Sequence, residues 1–250
     1  MIETETHDLI RVLRLNRGKA NALDLELVQA LTRAVEQAER ERVPALVLTG
    51  AGSIFCAGVD LYRVLNGGEE YARPYMAAFT DFTIRLFTAE LPLIIAANGH
   101  AVAGGALLVA FGDYRLMSGG KFGYTELHVG VPFPPAALEA VRFAVPSREI
   151  QSLVYSGATC SAEEARTRGF IDEVVPPAEL IARALEVARH YASVPRETFV
   201  ATKRQLRAAT LERMREAEDQ LHESTVAAWS SPAIQAHMRA YLDRVVKKKA

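Results

Sequence analysis

The run Leu9-Ile10-Arg11-Val12-Leu13-Arg14-Leu15 interleaves apolar and charged side chains, which predicts a strand with one wet face. A turn at Asn16-Arg17-Gly18-Lys19 ends it. From Asp24, a residue type suited to an N-cap, Leu27, Val28, Leu31, Ala34, Val35 and Ala38 recur at helical spacing; the pattern predicts a helix of about four turns before Pro44. Two short apolar runs stopped by glycine, Ala45 to Gly50 and Leu93 to Gly99, read as strands covered on both faces. Strands separated by long helical patterns predict an α/β fold built from crossover units. The stretch from Tyr62 to Glu90 reads as helical from Glu69 onward, after a mobile loop at Asn66-Gly67-Gly68. Leu91 to Gly112 is as long as a membrane span, but Pro92, Asn98, His100 and several glycines make it a buried strand, a turn and a buried helix instead. Val131-Pro132-Phe133-Pro134-Pro135 interrupts the chain before another helical stretch. From about Pro195 to Ala250 only helical patterns remain, with breaks near Thr210 and at Ser230-Ser231-Pro232. The pattern therefore divides the chain into an α/β core over 1–195 and a helical region over 196–250, which must lie on its own core or on another subunit. Oligomerisation is the simpler expectation.

Composition narrows the function classes. A chain of 250 residues that is 50% hydrophobic buries a core without staples. Twenty-nine basic against 30 acidic residues leave a net charge of −1, so there is no basic field for nucleic acid or an anionic membrane. Two cysteines, Cys56 and Cys160, are too few for a disulfide scaffold or a multi-cysteine metal site. Met1 to Asp8 is acidic and polar and carries no signal-peptide pattern, and a cytoplasmic setting is expected.

Two segments expose backbone in an unusual way. Ser53-Ile54-Phe55-Cys56-Ala57-Gly58-Val59-Asp60 and Asn98-Gly99-His100-Ala101-Val102-Ala103-Gly104-Gly105 each follow a buried strand with small residues and then a helical pattern. Singly, each is an ordinary strand-to-helix turn. Together, two amides meeting at one oxygen would make an oxyanion hole for acyl chemistry. Gly50-Ala51-Gly52 is neither a P-loop, lacking Gly-Lys-Ser/Thr, nor a dinucleotide fingerprint, with Phe55 at the third glycine.

Phe55-Cys56-Ala57-Gly58-Val59-Asp60, then Ala97 to Gly105, then Lys121-Phe122-Gly123-Tyr124-Thr125-Glu126 resemble, in order and spacing, the enoyl-CoA hydratase/isomerase (crotonase) superfamily. With Leu15-Asn16-Arg17, Asn21-Ala22-Leu23 and the helical tail, the resemblance spans essentially the whole chain. It implies a spiral of ββα units followed by a helical trimerisation region, giving a homotrimer or a hexamer of paired trimers. It also implies a coenzyme A thioester substrate and no separate cofactor. Carried over by position, the backbone N–H groups of Ala57 and Gly104 form the oxyanion hole. The turn around Cys56 and Asp60 holds the adenine end of coenzyme A, and Lys19 or a residue of the tail meets its phosphates.

The family's hydratases use two glutamates. The first falls three residues after Gly104, where this chain has Leu107; the second falls on Glu126. One carboxylate beside an oxyanion hole still supports proton transfer next to a thioester carbonyl. The resemblance therefore points to a Δ3,Δ2-enoyl-CoA isomerase with Glu126 as proton shuttle, in a pocket made apolar by Leu107, Leu108, Pro132 and Phe133. Two other readings stand beside it. One is hydration, or another crotonase-type reaction, with a second acid from Asp60, Asp81 or Glu139; the other is a catalytically silent acyl-CoA-binding protein. His100 and His128 are expected to be structural, Cys56 an apolar filler, and the stripe Tyr71, Tyr75, Phe79 core or pocket lining.

Overall fold

The computed structural model describes residues 1–247. In chain order the elements are β1 (Ile2–His7), β2 (Ile10–Leu15), α1 (Leu25–Arg40), β3 (Leu46–Gly50), β4 (Ile54–Cys56), α2 (Leu61–Phe87), β5 (Leu93–Ala97), β6 (His100–Val102) and α3 (Gly104–Ala110). There follow β7 (Tyr114–Met117), β8 (Lys121–Gly123), α4 (Glu126–Val129), α5 (Pro135–Ala144), α6 (Ser147–Ser156), β9 (Cys160–Ser161), α7 (Ala162–Thr167), β10 (Glu173–Val174), α8 (Leu180–Ala192), α9 (Arg196–Ser230) and α10 (Pro232–Lys247). Each pair of strands from β3 to β8 is followed by a helix, so the core winds as successive ββα turns. The first strand of each pair joins a six-stranded sheet ordered β1-β2-β3-β5-β7-β10, and the second a four-stranded sheet ordered β4-β6-β8-β9.

That second sheet positions everything functional. β4 lies parallel to β6, and β6 parallel to β8, with Ile54 opposite His100 and Ala101 opposite Phe122. The segments leaving all three strands consequently emerge side by side at one edge, the carboxyl end where α/β sheets form their clefts.

Several local expectations hold. Asp24 caps α1, its Oδ1 accepting from Leu27 N at 2.8 Å, and Leu27, Val28, Leu31, Val35 and Ala38 form its buried face. Others need correction. β1, unseen in the pattern, pairs antiparallel with β2 from Ile2↔Leu15 to His7↔Ile10; an edge strand of polar residues on both faces lacks the alternation that betrays a strand. The Asn66 to Gly68 segment is not a loop. Helix α2 starts at Leu61, capped by Asp60, and breaks only at Gly68 (φ 56°, ψ −145°), a conformation that glycine alone adopts readily. Beyond the break, Tyr71, Tyr75, Phe79 and Phe82 stack in series with centroids 5.6–5.8 Å apart, and this ladder welds the helix to the core.

The tail also departs from its expected break near Thr210. Helix α9 runs through that position unbroken, Thr210 being buried with its Oγ1 accepting from Arg213 at 2.7 Å. Met214, Val226, Trp229 and Met238 bury themselves against the chain's own core, whereas Leu206 and Leu221 remain exposed. Two buried cations fasten the start of α9. Lys203 Nζ donates to Asp113 at 2.6 Å and to Leu91 O at 3.1 Å. Arg207 reaches Asp113 Oδ1 at 2.8 Å and Phe87 O at 2.6 Å, its guanidinium 4.7 Å above the Phe87 ring. Burial pushes the Lys203 ammonium down to about 8, against the pull of Asp113. Among the described residues no helix is long and apolar enough to cross a membrane.

Asp113 is the single anion between two buried cations, so Asp113→Asn leaves both uncompensated. Urea denaturation is expected to show a loss on the order of 3–5 kcal/mol, the usual cost of stripping one partner from a buried pair.

Candidate functional site

Two asparagines shape the turn between β3 and α2. Asn21 Nδ2 donates to Ala51 O at 3.2 Å and Ile54 O at 2.9 Å, while its Oδ1 accepts from Arg17 N. Asn98 Oδ1 accepts from Gly50 N at 3.0 Å and its Nδ2 donates to Gly52 O at 2.8 Å. These side chains substitute for a backbone ladder and fix the path of the chain into Cys56 to Asp60.

The hydrogen bonds of that path correct one expectation. The Ala57 N–H donates to Ala20 O at 3.0 Å, so it is spent and does not face an incoming oxygen. Leu23 then exchanges bonds with Gly58 O at 2.8 Å and Asp60 N at 3.1 Å. This exchange skips Val59. The Val59 amide has no acceptor among the described residues, and Val59 lines the central cavity. Gly104 lines the same cavity. It opens α3, so no carbonyl of that helix lies behind its N–H.

The two segments touch backbone to backbone. A Cβ on Gly58 would lie 2.8 Å from Ala103 Cβ and 3.0 Å from Gly104 N; one on Gly104 would lie 3.3 Å from Gly58 Cα. Ala103 is held at φ 52°, ψ −121°, a region costly for any residue with a Cβ, and its N–H is tied to Gly123 O at 2.8 Å. That tie couples the second segment to the end of β8, three residues before Glu126.

Glu126 is the first residue of α4 and is buried. Its Oε2 has no hydrogen-bond partner. Burial raises its carboxyl from 4.5 to about 7, the direction expected when desolvation penalises the charged form. The cavity it faces measures about 90 Å³ and is walled by Val59, Phe79, Leu107, Val131, Phe133 and Trp229 among others. Among the described residues Glu126 is the only carboxylate lining it.

The other candidates for a second acid are engaged elsewhere. Asp60 caps α2 through Arg63 N at 3.1 Å, Asp81 is exposed, and Glu139 is bound to Arg213 at 2.9 Å and Arg142 at 3.5 Å. Neither histidine lines the cavity: the exposed His100 takes a bond from Lys121 N at 3.2 Å, and His128 O accepts from His237 at 3.2 Å.

Leu107 and Phe133 join the cavity wall as expected, but four expected contact residues do not. Lys19 is exposed and does not line it. Cys56 is fully buried behind the turn, its thiol pushed by burial up to about 12. Asp60 serves as the cap described above, and Pro132 faces the outer groove while its carbonyl receives Trp229 Nε1 at 3.0 Å. Conversely, sequence reasoning passed over Val59, Trp229 and Tyr241. The one signal for Trp229 was that the chain's only tryptophan stands on the apolar stripe of the tail.

The sequence profile of one family, described as enoyl-CoA hydratase/isomerase, matches residues 5–247. The chain belongs to the enoyl-CoA hydratase/isomerase family. Two relatives show its breadth. Mouse mitochondrial enoyl-CoA delta isomerase 1 is 28% identical over 257 residues, covering 100% of this chain and 88% of its own. An enoyl-CoA hydratase of Mycobacterium tuberculosis, EchA19, is 31% identical over 195 residues, covering 75% of this chain and 72% of its own. The solved structure of human mitochondrial delta3-delta2-enoyl-CoA isomerase superposes with a TM-score of 0.94 at 25% identity, covering 100% of this chain and 99% of that one. The crotonase fold, with its α/β spiral and helical tail, is thereby established for this member.

The burial of Glu126 carries a stability cost with a definite pH dependence. Between its ordinary 4.5 and about 7 the folded protein keeps a proton that the unfolded chain has released. Stability therefore falls as pH rises through that window, by up to roughly 3 kcal/mol. Glu126→Gln, neutral at every pH, is expected to be more stable than the parent at pH 8 and little different at pH 4.5. Parallel urea titrations at the two pH values read this difference.

Proposed function

We propose that this chain is a Δ3,Δ2-enoyl-CoA isomerase. The observation that carries the reading is Glu126, among the described residues the single carboxylate of an otherwise apolar cavity, beside two amides with no acceptor among those residues and with Leu107 where a hydratase needs its other acid. Hydration requires a water held and activated between two acids, and Leu107 neither binds water nor moves a proton. Isomerisation requires one base that takes a proton from C2 and returns it at C4.

The chemistry follows from the groups available. The thioester oxygen lies between the Val59 and Gly104 N–H groups, which lowers the energy of the charge it gains. Ionised Glu126 takes the C2 proton, and the electron pair delocalises into a dienolate ending at that oxygen. The Glu126 carboxyl, now neutral, protonates C4, giving the trans-2-enoyl thioester. Water exclusion by Leu107, Phe133 and Trp229 protects the dienolate. A carboxyl near 7 is suited to both halves of this shuttle, since it gains and loses its proton with little bias at neutral pH. The coenzyme A portion leaves the cavity along the Ser53 to Asp60 turn, with Lys19 exposed near its phosphates. Assembly into a homotrimer is the companion proposal, supported by exposed Leu127, Tyr155 and Leu221 around a groove between α5, α6 and α9.

Matched 2-enoyl and 3-enoyl-CoA esters, with products resolved by chromatography and mass, test the reading. The 3-enoyl ester is expected to give an isomer of unchanged mass, and hydration to be slower by ~10²–10⁴-fold. Glu126→Gln is expected to lower kcat by ~10²-fold or more while a saturated thioester still binds. Because the base must be ionised, kcat/KM is expected to fall as pH drops below about 7. Comparable hydration and isomerisation rates would overturn the reading, and absence of any turnover would favour a silent acyl-CoA-binding protein.

A further inference from the structure

Part of the cavity wall is supplied by the chain's own tail. Trp229, near the end of α9, is 2% exposed and lines the cavity, and Tyr241 of α10 joins it there. The indole is pinned. Its only polar atom, Nε1–H, donates to Pro132 O at 3.0 Å, so moving the ring aside gives up both a hydrogen bond and a large buried apolar area. Phe79, which also lines the cavity, is equally held, because it belongs to the aromatic ladder of α2, with Tyr75 and Phe82 at 5.6 and 5.7 Å.

The cavity is small, about 90 Å³, and a reacting 3-enoyl thioester places its carbonyl oxygen and carbons 1 to 4 inside before any tail is counted. We infer that Trp229 is the chain-length gate of this site and that its substrates are short 3-enoyl thioesters. The inference rests on the isomerase reading for the reaction, but the length limit itself is a property of the cavity and holds for saturated thioesters as well.

Two measurements separate the gate from the reaction. The first is binding of saturated acyl-CoA esters from four to sixteen carbons, by calorimetry, to the full chain. The second is kcat/KM for 3-enoyl-CoA esters of six, eight, ten, twelve and sixteen carbons. For the parent protein both series are expected to rise or hold up to eight carbons and to drop at least tenfold by twelve. Trp229→Ala is expected to lower the preference for the six-carbon over the twelve-carbon ester by tenfold or more, in binding and in kcat/KM alike, whatever it does to the absolute rate. Trp229→Phe, which loses the hydrogen bond but keeps a ring, is expected to retain most of the limit. Where Trp229→Ala does not give a cooperative melt, Trp229→Leu takes its place.

A flat length profile in both series would overturn the gate even if isomerisation is rapid. So would a length limit that survives in a folded Trp229→Ala. Hydration in place of isomerisation, with the binding limit intact, would instead overturn the reaction assignment and leave the gate standing.

Discussion

The backbones at Gly58 and Gly104 pack so closely that a Cβ added to Gly58 would lie 2.8 Å from Ala103 Cβ and 3.0 Å from Gly104 N. That contact brings the end of one ββα turn against the start of the next, so that Val59 and Gly104 line one cavity. It depends in turn on β4, β6 and β8 being parallel neighbours, because only then do the three exits share an edge. The strained Ala103 and its bond to Gly123 O are consequences of the same geometry. The chain must reverse within a residue or two of β6 for α3 to begin pointing its first amide outward. Strain of this kind persists only where surrounding structure over-determines it, and here a strand end, a helix start and an opposing glycine do so.

Burial of charge is used in two opposite ways. At Asp113, Lys203 and Arg207 it is compensated: every charge has a partner within 2.8 Å, and backbone carbonyls take further N–H groups. The arrangement holds the start of α9 in one register. At Glu126 nothing compensates, and one oxygen is left without a partner. An uncompensated buried carboxylate costs stability, yet the same desolvation brings its proton affinity to the range where a shuttle works. The contrast in partners, at similar burial, separates a structural ion cluster from a site for chemistry.

What the sequence revealed and what it hid divide along a physical line. Patterns carried by near neighbours were legible: the capped α1, the buried strand, turn and helix from Leu91 to Gly112, and the three motif segments that gave the fold. Glu126 and Gly104 were legible because their motifs fix them at the ends of short strands. Ala57 was misassigned because amides two residues apart in one turn are equivalent in sequence. Only the carbonyl of Ala20, 37 residues away, distinguishes the spent N–H from the free one. β1 was hidden because an edge strand exposed on both faces has no hydrophobic period. The helical start of α2 at Leu61 was hidden because Gly67-Gly68 reads as a breaker, and the chain does break at Gly68 but resumes as helix along the stacked rings.

The tail illustrates a further constraint that no local pattern expresses. Helix α9 has 35 residues and is thus about 50 Å long, and its two ends are held by different forces. Buried ion pairs fix Lys203 and Arg207 near its start, while apolar contacts and one indole hydrogen bond fix Trp229 near its end. A rigid helix transmits position along its axis. The ion cluster thus fixes one end of the helix whose other end carries the indole. A chain whose tail lay on another subunit would leave this wall to the partner; here Trp229 and Tyr241 come from the same polypeptide. The dryness that raises the Glu126 carboxyl is consequently built into one chain, through a helix anchored at its opposite end by charge.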